Sequence, residues 1–475
     1  MDLMKDTGVT PLVEKLIERL HALDEIGGQA VIAEMETAQE PAWMIAQMRG
    51  RVALMTRDWV SAHDHFHMAV HLNPDDWDSW ICLASACYEM GLFDQSILHA
   101  REAAVRYPEH GRAWLKLGAA HALLQHHAEA LACFERALFL SPNDAETHHS
   151  IGAMFSSMAL PELALRHFRA AQQIEGVYVQ SACGEAAELL RMGEWLEGWE
   201  KFEDRFRLPA FALPWWFTGQ PPYTGDLDGL RGKRVLLWAE QGYGDSLQFS
   251  RYIPKVMEVA SHVTIETHQP LERLFKSFGC EVTVHRRDAP PDVDVTVSLM
   301  SLPRLFGTTP ENCPPPSVFD VEPKPQRAKI GVCWAGGARP DEPLANAIDN
   351  RRSIGPDRII PVIEALGAGN WISLQQEDLP KGDWQDTANI VAGLDLVITV
   401  DTAMAHLAAS LGVETWLMCR FDTCWRWGQY AEHTVWYPSM RIFRQRFLGD
   451  WGGVAKQVIA AIGERHAAAS ADTGV

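Results

Sequence analysis

Three polar residues interrupt one of the most apolar segments of the chain, and their types and spacing suit phosphate binding. Asp401, Thr402 and His406 stand within VITVDTAMAHLAA. The residues before Asp401 are typical of a buried strand and those after Thr402 favour a helix, so the polar group falls at a strand-to-helix turn. The first N–H groups of a helix lack backbone partners and its dipole is positive there, so such a turn can bind an anion. A capped helix, with Asp401 or Thr402 as the N-cap and His406 packed against the sheet, explains the same residues without a ligand.

A second strand-to-helix turn carries glycines and a carboxylate. In LLWAEQGYGDSLQFSRYIP, Gly242 and Gly244 directly follow a strand-like run, and Asp245 opens the next helix. As a dinucleotide fingerprint this is G-x-G-x-x-Leu, with Leu247 where the third glycine belongs, and Glu266 ends the next strand where a ribose-binding acid would stand. A nicotinamide-dependent oxidoreductase is therefore one alternative, which the missing glycine weakens.

Two arginines end a polar loop further along the chain. ARPDEPLANAIDNRRSI (338–354) closes with Arg351 and Arg352, whose guanidinium groups can clamp a diphosphate in a bidentate way. Solvated surface charge is the alternative interpretation. Gln375, near the end of WISLQQ (371–376), is a further candidate donor-binding residue on the same side of the predicted cleft.

Two other patterns resemble metal sites and are discounted. The aspartates of DVDV (292–295) introduce an apolar strand instead of ending one, and a lone D-x-D is common by chance. His63, His67 and His71 follow helical spacing, with His65 beside them, but no Cys or carboxylate completes a zinc site in that segment. The sequence thus predicts no metal.

The first half of the chain repeats itself every 34 residues. Three prolines share this step, as do four alanines and a pair of tryptophans: Pro74, Pro108 and Pro142; Ala69, Ala103, Ala137 and Ala171; Trp80 and Trp114. A 34-residue period with Pro at the boundary is the tetratricopeptide signature of two antiparallel helices per repeat. The sequence therefore predicts an all-α solenoid.

The predicted repeats cover four ranges, with a degenerate helix pair before them and a capping pair after them: 41–74, 75–108, 109–142 and 143–176; 11–37; 178–207. The capping pair is rich in aromatic residues, and we expect Trp195, Trp199, Phe202 and Phe206 to pack against the next domain.

After a Pro- and Trp-rich linker (208–226), strand-like runs alternate with helical segments. The predicted strands are 234–240, 262–268 and 293–299, and, after a second Pro-rich linker (314–326), 329–336, 371–376, 395–400 and 414–419. Such alternation predicts two α/β domains with parallel sheets and a cleft at the carboxyl ends of the strands.

The net charge and the cysteine content of the chain argue against several classes of partner and site. The formal net charge of −20 over 475 residues argues against nucleic acid and anionic membranes as partners. Nine cysteines without a CxxC pair suggest neither a zinc ribbon nor a disulfide framework. No basic leader and no apolar run of membrane-spanning length are evident, so we expect a cytoplasmic protein without a membrane span.

Together, EQGYGDSLQFSRY, NRRSI, VDTAMAHLAASLG and WYPSMRIFRQ resemble bacterial tetratricopeptide glycosyltransferases. The second half is similar to the heptosyltransferase superfamily and, more distantly, the layout is similar to that of O-GlcNAc transferase. The resemblance implies repeats over 1–207 followed by a GT-B fold of two Rossmann-like domains. These are an acceptor-side domain over 208–325 and a nucleotide-sugar domain over 326–475. It also implies an enzyme that needs no metal or cofactor and uses a nucleotide-diphosphate sugar as substrate.

The resemblance also implies residue roles. Asp245 matches the general base, and Arg351 or Arg352 stands where these enzymes place a basic phosphate ligand. The other candidate donor-binding residues are Gly242, Gly244, Gln375, Asp401, Thr402, Ala403 and His406. Ala403 replaces the glycine of the heptosyltransferase turn, so the donor is expected to sit differently.

The expected acceptor is a protein or peptide held by the repeats, which are also open to homo-oligomer formation. Cys82, Lys116 and Ser150 replace the asparagines that line the groove of O-GlcNAc transferase, so capture of an extended peptide by Asn is not supported. A scaffold protein whose transferase half has lost activity is the alternative from another class.

Overall fold

The computed structural model describes residues 10–175, 178–208, 223–284, 292–337 and 343–472. Within these ranges the first part of the chain forms twelve α-helices: α1 (Pro11–His21), α2 (Glu25–Thr37), α3 (Ala42–Met55), α4 (Trp59–Leu72), α5 (Trp77–Glu89), α6 (Phe93–Arg106), α7 (Gly111–Leu123), α8 (His127–Leu140), α9 (Ala145–Ser157), α10 (Pro161–Glu175), α11 (Val179–Met192) and α12 (Trp195–Phe202). Each predicted repeat holds one helix pair. Residue 176 and most of the predicted linker 208–226 lie outside the described residues.

The 34-residue period has a visible structural cause. The indole N–H of Trp80 donates to the carbonyl oxygen of Pro74 at 2.9 Å, and Trp114 makes the same bond to Pro108 at 3.0 Å. Each tryptophan thus satisfies the backbone acceptor at its own repeat boundary. The repeated Pro and Trp residues thus form the same hydrogen bond in two successive repeats.

Close helix packing explains the glycines of the repeats. A Cβ on Gly50 of α3 would lie 2.8 Å from the ring of Phe66 on α4, and one on Gly118 of α7 would lie 2.7 Å from Phe134 on α8. In the repeat between them both positions are alanine. A glycine therefore faces a large ring and an alanine faces an alanine, so the two helices of each repeat can pack densely.

The chain divides into two compact units, one drawn from Met1–Met154 and Arg339–Ala347 and the other from Phe155–Ala338 and Ile348–Val475. The second unit contains two sheets. The first sheet is built from β1 (Arg234–Trp238), α13 (Tyr243–Phe249), α14 (Ile253–Met257), β2 (His262–Thr267), α15 (Glu272–Phe275), β3 (Glu281–Val284), β4 (Val295–Ser298) and α16 (Leu302–Leu305). Its strand order is β3-β2-β1-β4, and all neighbours pair in parallel.

The second sheet has six strands. Its elements are β5 (Ile330–Cys333), α17 (Pro343–Arg352), α18 (Pro356–Leu366), β6 (Trp371–Ser373), α19 (Trp384–Val391), β7 (Leu396–Val400), α20 (Ala403–Ser410), β8 (Glu414–Cys419), β9 (His433–Thr434), β10 (Tyr437–Arg444) and α21 (Trp451–Asp472). The order is β6-β5-β7-β8-β10-β9, parallel except for the β9–β10 pair. The expected α/β region with parallel sheets is therefore present, whereas the predicted domain boundaries stay predictions.

The aromatic capping pair packs against this region, as expected. Trp195 stacks on Trp436 with ring centroids 5.0 Å apart, and the indole N–H of Trp199 donates to the carbonyl oxygen of Thr308 at 3.1 Å. All four aromatic residues named from the sequence lie against the apolar cores of the sheets: Trp195, Trp199, Phe202 and Phe206.

A buried ion-pair network strengthens the same junction. Arg205, which follows α12 and is 2% exposed, donates to both carboxylate oxygens of Glu240 at 2.7 and 2.9 Å. The same guanidinium donates to Ser301 Oγ at 2.9 Å and to Glu203 at 2.7 Å. Because Glu240 comes directly after β1, the network ties the capping pair to the carboxyl edge of the first sheet.

The sequence missed some elements and overextended others. The strands β3, β9 and β10 were not predicted, and most predicted strands are longer than those observed, such as 329–336 against Ile330–Cys333. Near the end of the described residues, α21 continues to Asp472. Among the helices of the described ranges, none combines the length and apolar character needed to cross a bilayer.

Candidate functional site

The two predicted turns meet in the structure. A Cβ on Gly244, in the first turn of α13, would lie 2.8 Å from His406 Cδ2 and 3.5 Å from Ala403 Cα, both on α20. Only glycine lets the two helices approach this closely. The turn after β1 and the turn after β7 thus form one site, although about 160 residues separate them in sequence.

Asp245 caps its own helix and makes an ion pair. One carboxylate oxygen accepts from the backbone N–H of Gly242, the N-cap of α13, at 3.0 Å. The other accepts from Arg426, which lies in the short turn Trp425–Trp427 after β8. The side chain of Asp245 is 19% exposed. Asp245, the expected base, therefore lies at the junction of the two sheets, but its carboxylate is already paired with Arg426.

Arg426 organises the junction. Its Nε donates to Gln248 Oε1 at 2.6 Å, and one Nη donates to Cys424 Sγ at 3.0 Å. Its guanidinium carbon lies 4.2 Å from the ring centroid of Trp425, and its side chain is 12% exposed. The sequence analysis did not single out Arg426. The available signal was an arginine between two tryptophans, because a cation in such an apolar segment requires an anionic partner.

The opening turn of α20 presents backbone donors. Thr402 is the N-cap by backbone geometry, with φ −138° and ψ 173°, yet its side chain makes no capping bond. Its hydroxyl instead lies 3.5 Å from Thr399 Oγ1. Asp401 is half-buried at the same turn, and its charge acts on Arg426 and on Cys419. The ordinary capped helix is thus only partly realised, which leaves the N–H groups that begin at Ala403 without a side-chain cap.

His406 is buried and acts as a packing and positioning residue. It is 5% exposed, its Nδ1 lies 2.9 Å from Tyr437 Oη, and its ring lies 5.1 Å from that of Trp427. Burial, together with the positive charges of Arg426 and Arg251, holds the pKa of His406 well below its usual value of 6.5. The imidazole is therefore neutral at pH 7 and cannot bind a phosphate as a cation. Its predicted donor-binding role would have to run through the turn it supports.

The predicted polar loop is wrong over most of its length, because Arg351 and Arg352 form the last turn of the helix α17. The two arginines pair with different carboxylates. Arg351 pairs with Asp422 at 3.4 Å, and Asp422 also pairs with Arg420 at 3.3 Å, both residues following β8. Arg352 pairs with Asp349 at 3.0 Å. Arg351 thus faces the carboxyl end of β8, next to β7 in the sheet. The start of the polar loop, 338–342, lies outside the described residues.

Gln375 shapes a neighbouring loop. It is 5% exposed, and its Oε1 accepts from the backbone N–H groups of Trp334 at 2.9 Å and Ala335 at 3.2 Å. These two residues follow β5. Gln375 therefore holds the β5 loop in place, and any contribution to donor binding acts through that loop.

Residues of the two patterns that were discounted as metal sites form ion pairs with other side chains. Asp292 and Asp294 pair with Arg234 at 2.5 and 2.8 Å, at the amino end of β1 and away from the site. Hydrogen bonds from Arg234 hold the pKa of Asp294 at about 2. His63 pairs with Asp64 at 2.9 Å. Across the described ranges, no group of three or more His, Cys, Asp or Glu side chains is arranged to hold a metal ion.

The dinucleotide alternative finds little geometric support. Glu266, the candidate ribose ligand, is 2% exposed, and Leu247, at the position of the third glycine, is fully buried. A buried carboxylate is not available to a ribose hydroxyl.

Gly244→Ala is expected to destabilise the second unit by about 1–3 kcal/mol, the usual cost of overpacking. The new methyl group would meet the His406 ring, which Trp427 and Tyr437 hold in place, so α13 and α20 would have to separate. Urea unfolding measures the change. Gly463→Ala in α21 is the matched control, because no atom lies within 4 Å of its added Cβ. Equal stability of the two variants would contradict the close contact.

Comparison with known proteins addresses the helical half first. Residues 111–144 match the tetratricopeptide repeat family and form α7, α8 and the following turn. This segment is a tetratricopeptide repeat. The flanking helix pairs share its period and packing, so the helical half has the tetratricopeptide solenoid fold, whose known use is protein interaction.

One similar protein matches this chain over more than its helical half, and two similar solved structures match a smaller part of it. Protein FlbA of Caulobacter vibrioides is 27% identical over 460 residues, covering 84% of this chain and 74% of FlbA. A thermophilic TPR protein of Thermus thermophilus is 18% identical with a TM-score of 0.34, covering 36% of this chain and 92% of its own. A chain of the APC/C hetero-tetramer Cut9–Hcn1 is 14% identical with a TM-score of 0.39, covering 41% of this chain, which spans 39% of that chain's length.

Proposed function

We propose that the protein is a metal-independent glycosyltransferase of the GT-B type, in which two Rossmann-like domains bind a nucleotide-diphosphate sugar and an acceptor. The observation that carries the proposal is the contact of Gly244 with His406 and Ala403. It joins the turn after β1 to the turn after β7. Ligands of parallel α/β sheets bind at the carboxyl ends of strands, and here two such ends meet.

The donor is assigned to the second sheet. The uncapped N–H groups at the start of α20 can hold a diphosphate, since a helix N-terminus attracts negative charge. Asp401, half-buried at the same turn, is assigned to the sugar hydroxyls. Arg351 supplies positive charge from the last turn of α17, although Asp422 shares it.

The acceptor side is assigned to the first sheet, with Asp245 as the general base. The acceptor oxygen attacks the anomeric carbon, the bond from that carbon to the diphosphate oxygen breaks, and the nucleoside diphosphate leaves with the electron pair. The acceptor proton passes to the carboxylate of Asp245. Arginine and backbone N–H groups stabilise the charge on the leaving diphosphate.

The acceptor is proposed to be a protein bound by the repeats. Helix pairs of this kind form a surface much larger than a sugar requires. At one position of the expected groove, Lys116 donates to Glu146 of the next repeat at 2.5 Å. In an earlier repeat, Arg51 pairs with Asp78 of the repeat that follows it. Because these charges already have partners, recognition of a folded surface is favoured over capture of an extended peptide.

A catalytically inactive scaffold is the second candidate, and the Asp245–Arg426 pair is the observation that favours it. A carboxylate oxygen that already accepts from arginine is not free to accept from the hydroxyl of an acceptor. A scaffold would show no turnover of any nucleotide sugar.

A thermal-shift panel of nucleoside diphosphates and nucleotide sugars tests the proposal. A ligand present at a hundred times its Kd should stabilise the protein by about 2.7 kcal/mol, with EDTA making no difference. Loss of the shift in EDTA would contradict metal-independent binding. Stabilisation by NAD or NADP alone would favour the oxidoreductase. The selected nucleotide sugar is then tested for release of its nucleoside diphosphate, which separates the enzyme from the scaffold.

A further inference from the structure

We propose that Arg426 exchanges partners during the reaction: it neutralises Asp245 before the donor binds, and it turns to the diphosphate when the donor arrives, which frees Asp245 to accept a proton. This inference rests on the proposed function. It adds a donor-binding residue and an order of events, in which the donor must bind before the acceptor can be deprotonated.

The position of Arg426 suits this exchange. It belongs to the turn after β8 of the second sheet, but its hydrogen bonds reach Asp245 and Gln248 on α13 of the first. The start of α20 is adjacent, because Ala403 Cα lies 3.5 Å from the Cβ position of Gly244, the residue before Asp245. A diphosphate held at that helix start would lie beside the guanidinium.

The side-chain amide of Gln248, which is bonded to Arg426, has an N–H donor without a partner among the described residues. Gln248 is fully buried, its Oε1 accepts from Arg426, and its Nε2 has no hydrogen-bond partner among the residues that the structure describes. A buried amide N–H without a partner is costly, and an anion at Arg426 would give it one. Arginine and amide donors that converge on one point are typical of a phosphate site.

Competition between two anions follows from this geometry. A guanidinium pairs with phosphate oxygens in the same bidentate manner as with a carboxylate, and a diphosphate brings more negative charge than Asp245. The carboxylate that loses Arg426 keeps the Gly242 N–H, and its other oxygen is then free to accept from the hydroxyl of the acceptor. If Arg426 only joins the two sheets, no such competition exists.

Inorganic pyrophosphate tests the inference without knowledge of the sugar or the base. Its affinity is measured by titration calorimetry on the full chain, for the wild type and for Arg426→Gln, Arg426→Lys and Asp245→Asn. Arg465→Gln is the matched control, since Arg465 pairs with Glu414 at the amino end of β8.

The two principal variants should change affinity in opposite directions. Arg426→Gln should weaken pyrophosphate binding about tenfold or more, through loss of a charge-assisted bond, and Arg426→Lys should recover part of it. Asp245→Asn should strengthen binding about threefold to tenfold, because the competing carboxylate is gone. The control should match the wild type.

Several results would overturn the inference: no pyrophosphate binding to the wild type, an unchanged or weaker affinity in Asp245→Asn, or equal affinity in Arg426→Gln. If Arg426→Gln fails to fold, Asp245→Asn still decides through the direction of its change. Nucleotide-sugar turnover with equal pyrophosphate affinity in all variants would refute the exchange and leave the proposed function intact. Opposite affinity changes without any nucleotide-sugar binding would support the exchange and refute the transferase.

Discussion

Asp245→Asn is expected to lower the turnover of the nucleotide sugar about a hundredfold or more, the usual scale for loss of a general base. The amide keeps the size of the carboxylate, so it can still accept from Gly242 at the start of α13, but it cannot take a proton from the acceptor. Release of nucleoside diphosphate from the donor selected by the binding panel measures the rate.

Two controls separate chemistry from folding. Asp228→Asn removes an exposed carboxylate that pairs with Arg231 and should keep the full rate. Asp245→Asn itself should retain pyrophosphate binding, which shows that its donor site is intact. Full turnover by Asp245→Asn would exclude it as the base and direct attention to other carboxylates near the junction, beginning with Asp401.

Trp199→Ala is expected to destabilise the second unit by about 3–5 kcal/mol, as large-to-small changes of buried aromatic residues do. Trp199 is 1% exposed and makes ring contacts with Trp425 at 5.2 Å, Trp436 at 6.3 Å and Phe249 at 6.4 Å. Its removal opens a cavity between the capping pair and both sheets and leaves the carbonyl oxygen of Thr308 without its donor. Urea unfolding of the full chain measures the loss.

Leu196→Ala is the matched control, because Leu196 lies on the same helix and is 57% exposed. Its effect should stay within about 0.5 kcal/mol, as surface substitutions usually do. Equal effects of the two variants would show that the capping pair does not stabilise the α/β region. In that case a chain that begins at 208 should be as stable as one that begins at 178.

The candidate site was only partly predictable. The sequence indicated both strand-to-helix turns, and they meet. It offered a His406 packed against the sheet only as the alternative to a ligand-binding His406, and it did not indicate Tyr437 as the partner. Nor did it indicate that Gln375 is engaged by the loop after β5. Both outcomes depend on which surface of an apolar helix or strand the rest of the fold covers, and a polar residue within an apolar run looks the same whether it faces a ligand or a buried partner.

The missed strands have a related explanation. The strands β3 and β9 lie at the edges of their sheets, and β3 is only half-buried along most of its length, so neither shows a continuous apolar run. The strand β10 mixes buried and exposed residues, so it too lacks the continuous apolar run of a fully buried strand.

The sequence by itself determined the helix pairs, their 34-residue period and the alternation of strands and helices that follows, because these depend on contacts between residues close in the chain. Only the tertiary structure decided which charges meet. Asp245 and Arg426 are 181 residues apart, and Arg205 and Glu240 are 35 apart. Such pairs leave no periodic signal, since each forms only when separate elements are brought together and burial forces every charge to find its counterion.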